Sequence, residues 1–333
     1  NISKIGGYLI ITENNALTTL SGLENLTTIE GLVEIQINNS LSDITALNNI
    51  SSIGGYLQLS QNNSLATLNS LNTLSYVGGY LNIHSNALLT DLSGLQGLTT
   101  INDHLLISAN SKLTQINGLQ NLSAIGGSMS FFNNYNLINI DELNNLVTIG
   151  GHIRIWYNDS LSDIVGLQNL SEIGGDIRIN DNQSLKSLEG IENINPMTIG
   201  DLAIHSNSSL TICDVKSVCD YISHPTGNLS IFNNATGCNS QIEVEEACIV
   251  NTQERTSLPQ ISVFPNPADN EIFILNNNGT IIVSLTIYNQ LGQPILRQDS
   301  PENKIDVSIL EHGIYTIELE LIELKIREKL IIK

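Results

Sequence analysis

Asparagine recurs at Asn14, Asn38, Asn62, Asn86, Asn110, Asn134, Asn158 and Asn182, seven successive intervals of 24 residues, and again at Asn207 after one of 25. The same apolar frame surrounds each copy. In the first it runs Leu9-x-Ile11-x-x-Asn14-x-x-Leu17-x-x-Leu20-x-x-Leu23-x-x-Leu26-x-x-Ile29. A unit this short cannot bury its own apolar face, so successive copies must stack as the coils of a solenoid. The repeat therefore constrains the shape of most of the chain and names no reaction.

Within a coil, Leu9-x-Ile11 alternates inward apolar and outward variable residues, the pattern of a short strand. Its counterparts are Val33/Ile35, Leu57/Leu59, Leu81/Ile83, Leu105/Ile107, Met129/Phe131, Ile153/Ile155, Ile177/Ile179 and Leu202/Ile204. Stacking predicts one parallel sheet with strands about 4.8 Å apart. The Asn carries donors and acceptors that can reach backbone groups of neighbouring coils. A buried backbone group left unpaired costs about 1–3 kcal/mol, which accounts for the residue's constancy. Apolar residues then recur every third position, which fits 3₁₀-like turns and corners better than an α-helix. Ser21…Glu24, Thr45…Asn48, Ser93…Gln96 and Asn117…Gln120 have capping spacing and predict a short helical turn, weakened where Val165 and Glu189 interrupt it. The pairs Gly6-Gly7, Gly54-Gly55, Gly78-Gly79, Gly126-Gly127, Gly150-Gly151 and Gly174-Gly175 close the coil, with Asn102-Asp103 and Gly200-Asp201 as substitutes. Such residues predict a left-handed turn at that point, and Glu30-Gly31 fits it poorly.

Pro196 and a small length change mark the end of strict periodicity, and one further coil is legible at Leu229-x-Ile231-x-x-Asn234. Cys213, Cys219, Cys238 and Cys248 cluster there and predict two disulfides closing a cap over residues 210–248, in an oxidising compartment. No Cys-x-x-Cys pair supports zinc. Of three possible connectivities the favoured one is Cys213–Cys238 with Cys219–Cys248. Cys213 follows Asn207 by six residues and Cys238 follows Asn234 by four, on adjacent coils. The segment Asn1–Ile5 aligns with Asn25–Ile29, so residues 1–248 read as an N-terminally truncated array. A polar linker over 249–260 follows. Residues 261–333 abandon the frame for short alternating segments, "EIFIL", "TIIVSLTIYN", "KIDVSIL", "GIYTIEL" and "EKLIIK", which predict a small Ig-like antiparallel β-sandwich.

Acidic residues outnumber basic ones 33 to 13, for a net charge of −20, which argues against nucleic acid and anionic membrane as main partners. No run of apolar residues is long enough for a membrane span.

"SGLENLTTI", "SGLQGLTTI" and "VGLQNLSEIGG", with the cysteine segment that follows the array, resemble the receptor L-domain-like, leucine-rich-repeat-related proteins of Bacteroidetes. The resemblance covers residues 1 to about 248 and implies a right-handed solenoid in a secreted or surface setting, with no catalytic residues to carry over. "VFPNPADNEIFI", "YNQLGQPIL", "LEHGIYTIEL" and the terminal "KLIIK" resemble the C-terminal sorting domain of the type IX secretion system. The matching positions are Pro265, Asn266, Pro267, Gly292, Gly313, Tyr315 and Lys333. This resemblance implies that residues 261–333 engage the type IX secretion machinery, with removal of the domain and release or surface attachment.

No catalytic, cofactor or metal constellation is evident. His84 and His205 share an outward column but lie five coils apart, about 24 Å. His104, His152, His224 and His312 form no ligand pattern, and Asp159, Asp163 and Asp181 read as solvated turn residues rather than a calcium loop. Three function classes remain: a recognition or adhesion module, a structural spacer, and a carbohydrate-active β-solenoid enzyme. The enzyme is disfavoured because the outward columns lack clustered carboxylates. Recognition is favoured by one patch. Phe132 and Trp156, the only Trp, are column neighbours with Tyr157 alongside, Arg154 and Arg178 are neighbours in the next column, and His152 borders them. Aromatic faces flanked by Arg suit a sugar ring or an anionic group, whereas stacked like charges oppose folding. The bland alternative is an aromatic ladder, with Asp176 and Asp201 neutralising the arginines.

Overall fold

The computed structural model describes residues 2–257, 261–276, 281–321 and 325–333. The chain divides into two compact units, Asn1–Val250 and Asn251–Lys333.

In the first unit, four-residue strands from Leu9–Thr12 to Leu229–Phe232 line up in chain order as a ten-stranded parallel sheet. Its register follows the repeat: Leu105 pairs with Met129 and Ile107 with Phe131, then Met129 with Ile153 and Phe131 with Ile155. Two-residue strands from Lys4–Ile5 to Glu172–Ile173 form a second, eight-stranded parallel sheet. The leucines and isoleucines of the repeat frame fill one continuous core, most of them fully buried from Leu26 onward. Removing this apolar surface from water is the main term holding the coils together.

The asparagines stitch the coils. The Oδ1 of Asn62 accepts the N–H of Asn38 at 3.2 Å, while its Nδ2 donates to the carbonyl of Ile35 at 2.8 Å. Asn110 repeats this with the N–H of Asn86 and the carbonyl of Ile83, both at 3.0 Å. The ladder continues through Asn207 to Asn234, which takes the N–H of Asn207 at 3.0 Å. From Asn38 to Asn207 each of these side chains is fully buried, so no water is available as a substitute partner.

The left-handed turn lies elsewhere than the glycine pairs suggest. The residue before each ladder Asn carries φ of 54–61°: Glu13, Ile37, Gln61, Ser85, Ala109, Asn133, Tyr157, Asp181, Ser206 and Asn233. None is glycine. The coil-closing pairs are instead glycine because adjacent coils approach there. A Cβ on Gly126 would lie 2.2 Å from the carbonyl oxygen of Asn102, and one on Gly150 would lie 2.0 Å from that of Gly126. Of the expected capping turns, the one at Thr45 forms as a 3₁₀ turn over Thr45–Leu47 without a side-chain cap, and the other three differ. At Ser21, Ser93 and Asn117 the chain makes non-helical turns around left-handed Gly22, Gly94 and Gly118, whose N–H groups are held by Glu24, Gln96 and Gln120. One 3₁₀ turn spans Val165–Leu167, where the interrupted pattern predicts weakness. No side chain caps the turn there.

Two helices end the array, α1 (Lys216–Ser223) and α2 (Gln241–Ser257). Cys213 is bonded to Cys238, joining the segments that lead into the two helices, and Cys219 to Cys248, joining α1 to α2. Tyr221 is fully buried and donates its hydroxyl to the carbonyl of Gly200 at 2.5 Å. Where the sequence reads as a polar linker over 249–260, α2 continues through Ser257, and residues 258–260 lie outside the described residues.

The second unit packs a three-stranded sheet (Ile261–Phe264, Glu271–Asn276, Lys304–Asp306) with a four-stranded one (Pro294–Asp299, Ile282–Tyr288, Gly313–Leu321, Lys325–Ile332). All their pairings are antiparallel. Ile272, Ile274, Leu285, Ile287, Ile305 and Leu330 form the middle of its separate core.

Candidate functional site

The patch sits on the outer face of the long sheet, on strands Met129–Phe132, Ile153–Trp156 and Ile177–Asn180. Because side chains alternate across a strand, Arg154 and Trp156 leave the core face that Ile153 and Ile155 fill. The register sets Ser130 beside Arg154 and Arg154 beside Arg178, with Phe132 beside Trp156 in the parallel row. The Phe132 and Trp156 rings lie 6.2 Å apart between centroids, tilted by 31°. That is an aromatic contact of ordinary kind. Tyr157 follows the strand, 47% exposed and left-handed.

The two arginines are unequal. Arg178 donates to Asp176 Oδ2 at 2.9 Å, with an Asp201 oxygen 3.9 Å away. Among the described residues Arg154 has neither a hydrogen bond nor a carboxylate within 4.0 Å. Neutralisation by Asp176 and Asp201 therefore reaches one arginine and leaves the other free. Burial alone would raise the Asp176 pKa. The N–H of Asp201 and the Arg178 guanidinium outweigh that burial and hold the carboxyl below its usual range.

His152 is built into the backbone. Its Nδ1 accepts the N–H of Asp176 at 2.8 Å. A nitrogen that accepts carries no proton, so its 3.3 Å approach to Asp176 Oδ2 is a contact and not an ion pair through that atom. Gly175 makes room for the ring, since a Cβ there would lie 2.6 Å from Nδ1. This bond belongs to a second ladder. His104 accepts the N–H of Ser128 at 2.7 Å, Ser128 that of His152 at 3.0 Å, Asp176 that of Asp201 at 3.0 Å, and Asp201 that of Asn228 at 2.8 Å. The only signal in the sequence is a polar residue directly before the strand, and its type changes from coil to coil.

Two residues on paired positions each hold a buried polar atom without a partner among the described residues, Trp156 Nε1 and Asn180 Oδ1. Each costs about 1–3 kcal/mol. With the free guanidinium of Arg154, they mark this stretch as one that stability alone does not explain. Ser60 and Ser108, in the same row as Phe132 and Trp156 and separated from each other by His84, are small and buried. Ser108 is 2% exposed, although its position in the alternation faces outward.

In the second unit, Asn266 joins the Pro265–Pro267 segment to the terminal strand. Its Nδ2 donates to the Lys329 carbonyl at 2.6 Å and its Oδ1 accepts the N–H of Ile331 at 3.0 Å. Lys333 donates its backbone N–H to Ala268 at 2.8 Å. Gly292, at φ 75°, turns the Asn289–Gln293 loop, and Tyr315, two residues after Gly313, donates to the Glu311 carbonyl at 3.0 Å. Glu318, with only 5% of its side chain exposed, meets Lys325 at 3.1 Å and Arg327 at 2.5 Å.

Among the described residues no three His, Cys, Asp or Glu side chains converge as a metal site, and no helix is long and apolar enough to cross a membrane. Residues 76–147 match the family model described as receptor L domain, and residues 262–333 match that described as secretion system C-terminal sorting domain. The first match includes Phe132 and ends before His152. No curated protein matches the chain. Both families are non-catalytic kinds, and a sorting domain of this type directs export through the type IX machinery, typically with attachment at the cell surface.

Proposed function

We propose that this exported chain, a receptor L-domain solenoid carrying a secretion sorting domain, is a surface recognition module that holds a glycan against the outer face of its long sheet. Residues 1–248 are the recognition part and residues 261–333 the delivery part. Phe132 and Trp156 supply a stacking surface, Tyr157 extends it, and Arg154 and Arg178 with His152 flank it with polar contacts. The observation that carries this reading is the unpaired guanidinium of Arg154. It is held beside a second arginine and an aromatic pair, in a chain whose other basic residues are few. A sheet built only to be stable gains nothing from such a charge, because like charges on paired positions oppose folding.

The test is a glycan array probed with the full chain and with Trp156→Ala. Loss of glycan binding by a variant that melts with the native protein supports recognition. A lowered melting temperature with unchanged binding would reduce Phe132 and Trp156 to a stabilising cross-strand pair.

A further inference from the structure

Resting on that recognition reading, we infer that the patch selects a glycan bearing a single carboxylate: an isolated uronic-acid-type sugar in an otherwise neutral chain. Arg154 receives the carboxylate and Trp156 the ring of the same sugar.

The asymmetry of the two arginines carries the argument. Arg178 is already engaged by Asp176 at 2.9 Å, with Asp201 3.9 Å away, so its charge is locally cancelled. Arg154 is not, so it is the one guanidinium of the pair left without a carboxylate partner. A guanidinium presents its donors as a planar fork, which matches the two oxygens of a carboxylate. Arg154 and Trp156 are two residues apart on one strand face, about 6.6 Å at strand spacing. That distance lets a six-membered sugar ring lie over the indole while the carboxylate on its edge reaches the guanidinium. Ser130, the paired neighbour of Arg154 on the other side, is small and brings no charge of its own.

The surroundings set the upper limit on ligand charge. The chain carries a net charge of −20, and Asp176 and Asp201 stand on the next coils at the same end of the patch. A row of sulfates or a run of consecutive acidic sugars would meet this field at every further charge. One carboxylate satisfies Arg154 and brings no second anion toward the aspartates. Arg178 then acts as a positioning residue. Clamped by Asp176, it fixes the strand edge beside Arg154 and keeps the aspartate from turning toward it.

The experiment is calorimetric titration of the full chain with three probes. They are a xylo-oligosaccharide bearing one glucuronic acid branch, the same compound methyl-esterified, and a sulfated galactan oligosaccharide. The acid should bind, more weakly as salt rises. Esterification and Arg154→Gln should each weaken binding by about tenfold or more, the loss of one charge-assisted contact. Arg178→Gln should cost less than Arg154→Gln, and both variants should melt with the native protein. Equal binding of acid and ester would overturn the carboxylate inference while leaving glycan recognition standing, as would tighter binding of the sulfated probe. An Arg178→Gln loss as large as that of Arg154→Gln would overturn the assignment of Arg154. If none of the three probes binds, the carboxylate inference falls, and the array with Trp156→Ala decides separately whether the recognition reading falls with it.

Discussion

The two units of this chain reach stability by opposite routes. In the solenoid each coil leans on the next through the same few bonds. Asn110 reaches Asn86 and Ile83, Asn134 reaches Asn110 and Ile107, and no contact needs a distant part of the sequence. In the C-terminal unit Asn266 is bonded to Lys329 and Ile331, more than sixty residues away, and strands far apart in sequence must meet before either sheet exists. The solenoid buries an amide side chain in almost every coil, whereas among the described residues of the second unit one carboxylate is buried, Glu318. Neutral amides that satisfy backbone groups can be copied indefinitely without accumulating charge. A buried carboxylate needs its own cations and is used once. Repetition thus favours neutral stitching, and a self-standing sandwich tolerates a unique ion cluster.

The sharpest break in this comparison is Asn110→Ala. It strands the N–H of Asn86 and the carbonyl of Ile83 in the core, two groups at about 1–3 kcal/mol each, so the solenoid should lose about 2–6 kcal/mol. In urea denaturation the C-terminal unit's transition should not move, and Lys112→Ala, on an exposed residue, should change neither by more than about 0.5 kcal/mol. Next comes the paired replacement Cys219→Ser with Cys248→Ser, which releases α2 from α1. The expected loss is about 2–4 kcal/mol, with proteolysis beginning at the cap rather than in the middle coils. If cleavage began in the middle coils instead, the cap would not be what protects the array's end.

The smallest effect belongs to the other unit. Glu318→Gln should cost about 1 kcal/mol, because Lys325 and Arg327 are more than half exposed and are re-solvated when the carboxylate is gone. Arg327 chiefly, against burial and with Lys325 assisting, holds the Glu318 pKa below its usual range. A depressed folded pKa gives stability that is present above the unfolded value, about 4.3, and is lost as pH falls through the folded one. The gap in melting temperature between native and Glu318→Gln should therefore be constant at neutral pH and close on acidification. A gap that persisted at acid pH would assign the effect to packing.

How much of this was legible in advance follows from the same contrast. Strand positions, register and the Asn bonds could be read because each coil states them again, and Leu9/Ile11 is corroborated by its eight counterparts. The glycine pairs were misread because glycine serves two ends, positive φ and close approach. Only the carbonyl of a neighbouring coil, such as Gly126 against Gly150, tells them apart. The end of α2 was missed because its buried face is narrow, Val244 and Cys248 one turn apart amid polar residues. In the patch, the column pairs Phe132/Trp156 and Arg154/Arg178 followed from the period. The bond of His152 to the Asp176 amide did not, since the second ladder keeps its geometry while its residue type changes from His to Ser to Asp.

Ten non-glycine residues hold the left-handed conformation ahead of the ladder, and they include Glu, Ile, Gln, Ala, Tyr and Asp. The conformation there is imposed by the strand before and the stitched Asn after, at about 1–2 kcal/mol per residue, so the occupant itself is unconstrained. The array therefore carries, along one margin of its sheet, a row of interchangeable slots set at about 4.8 Å from coil to coil. Whatever side chain is written into a slot is displayed at a known pitch, and rewriting it leaves the core untouched. A scaffold of this kind can change what it meets without relearning how to fold, and Tyr157 is one character in that line of text.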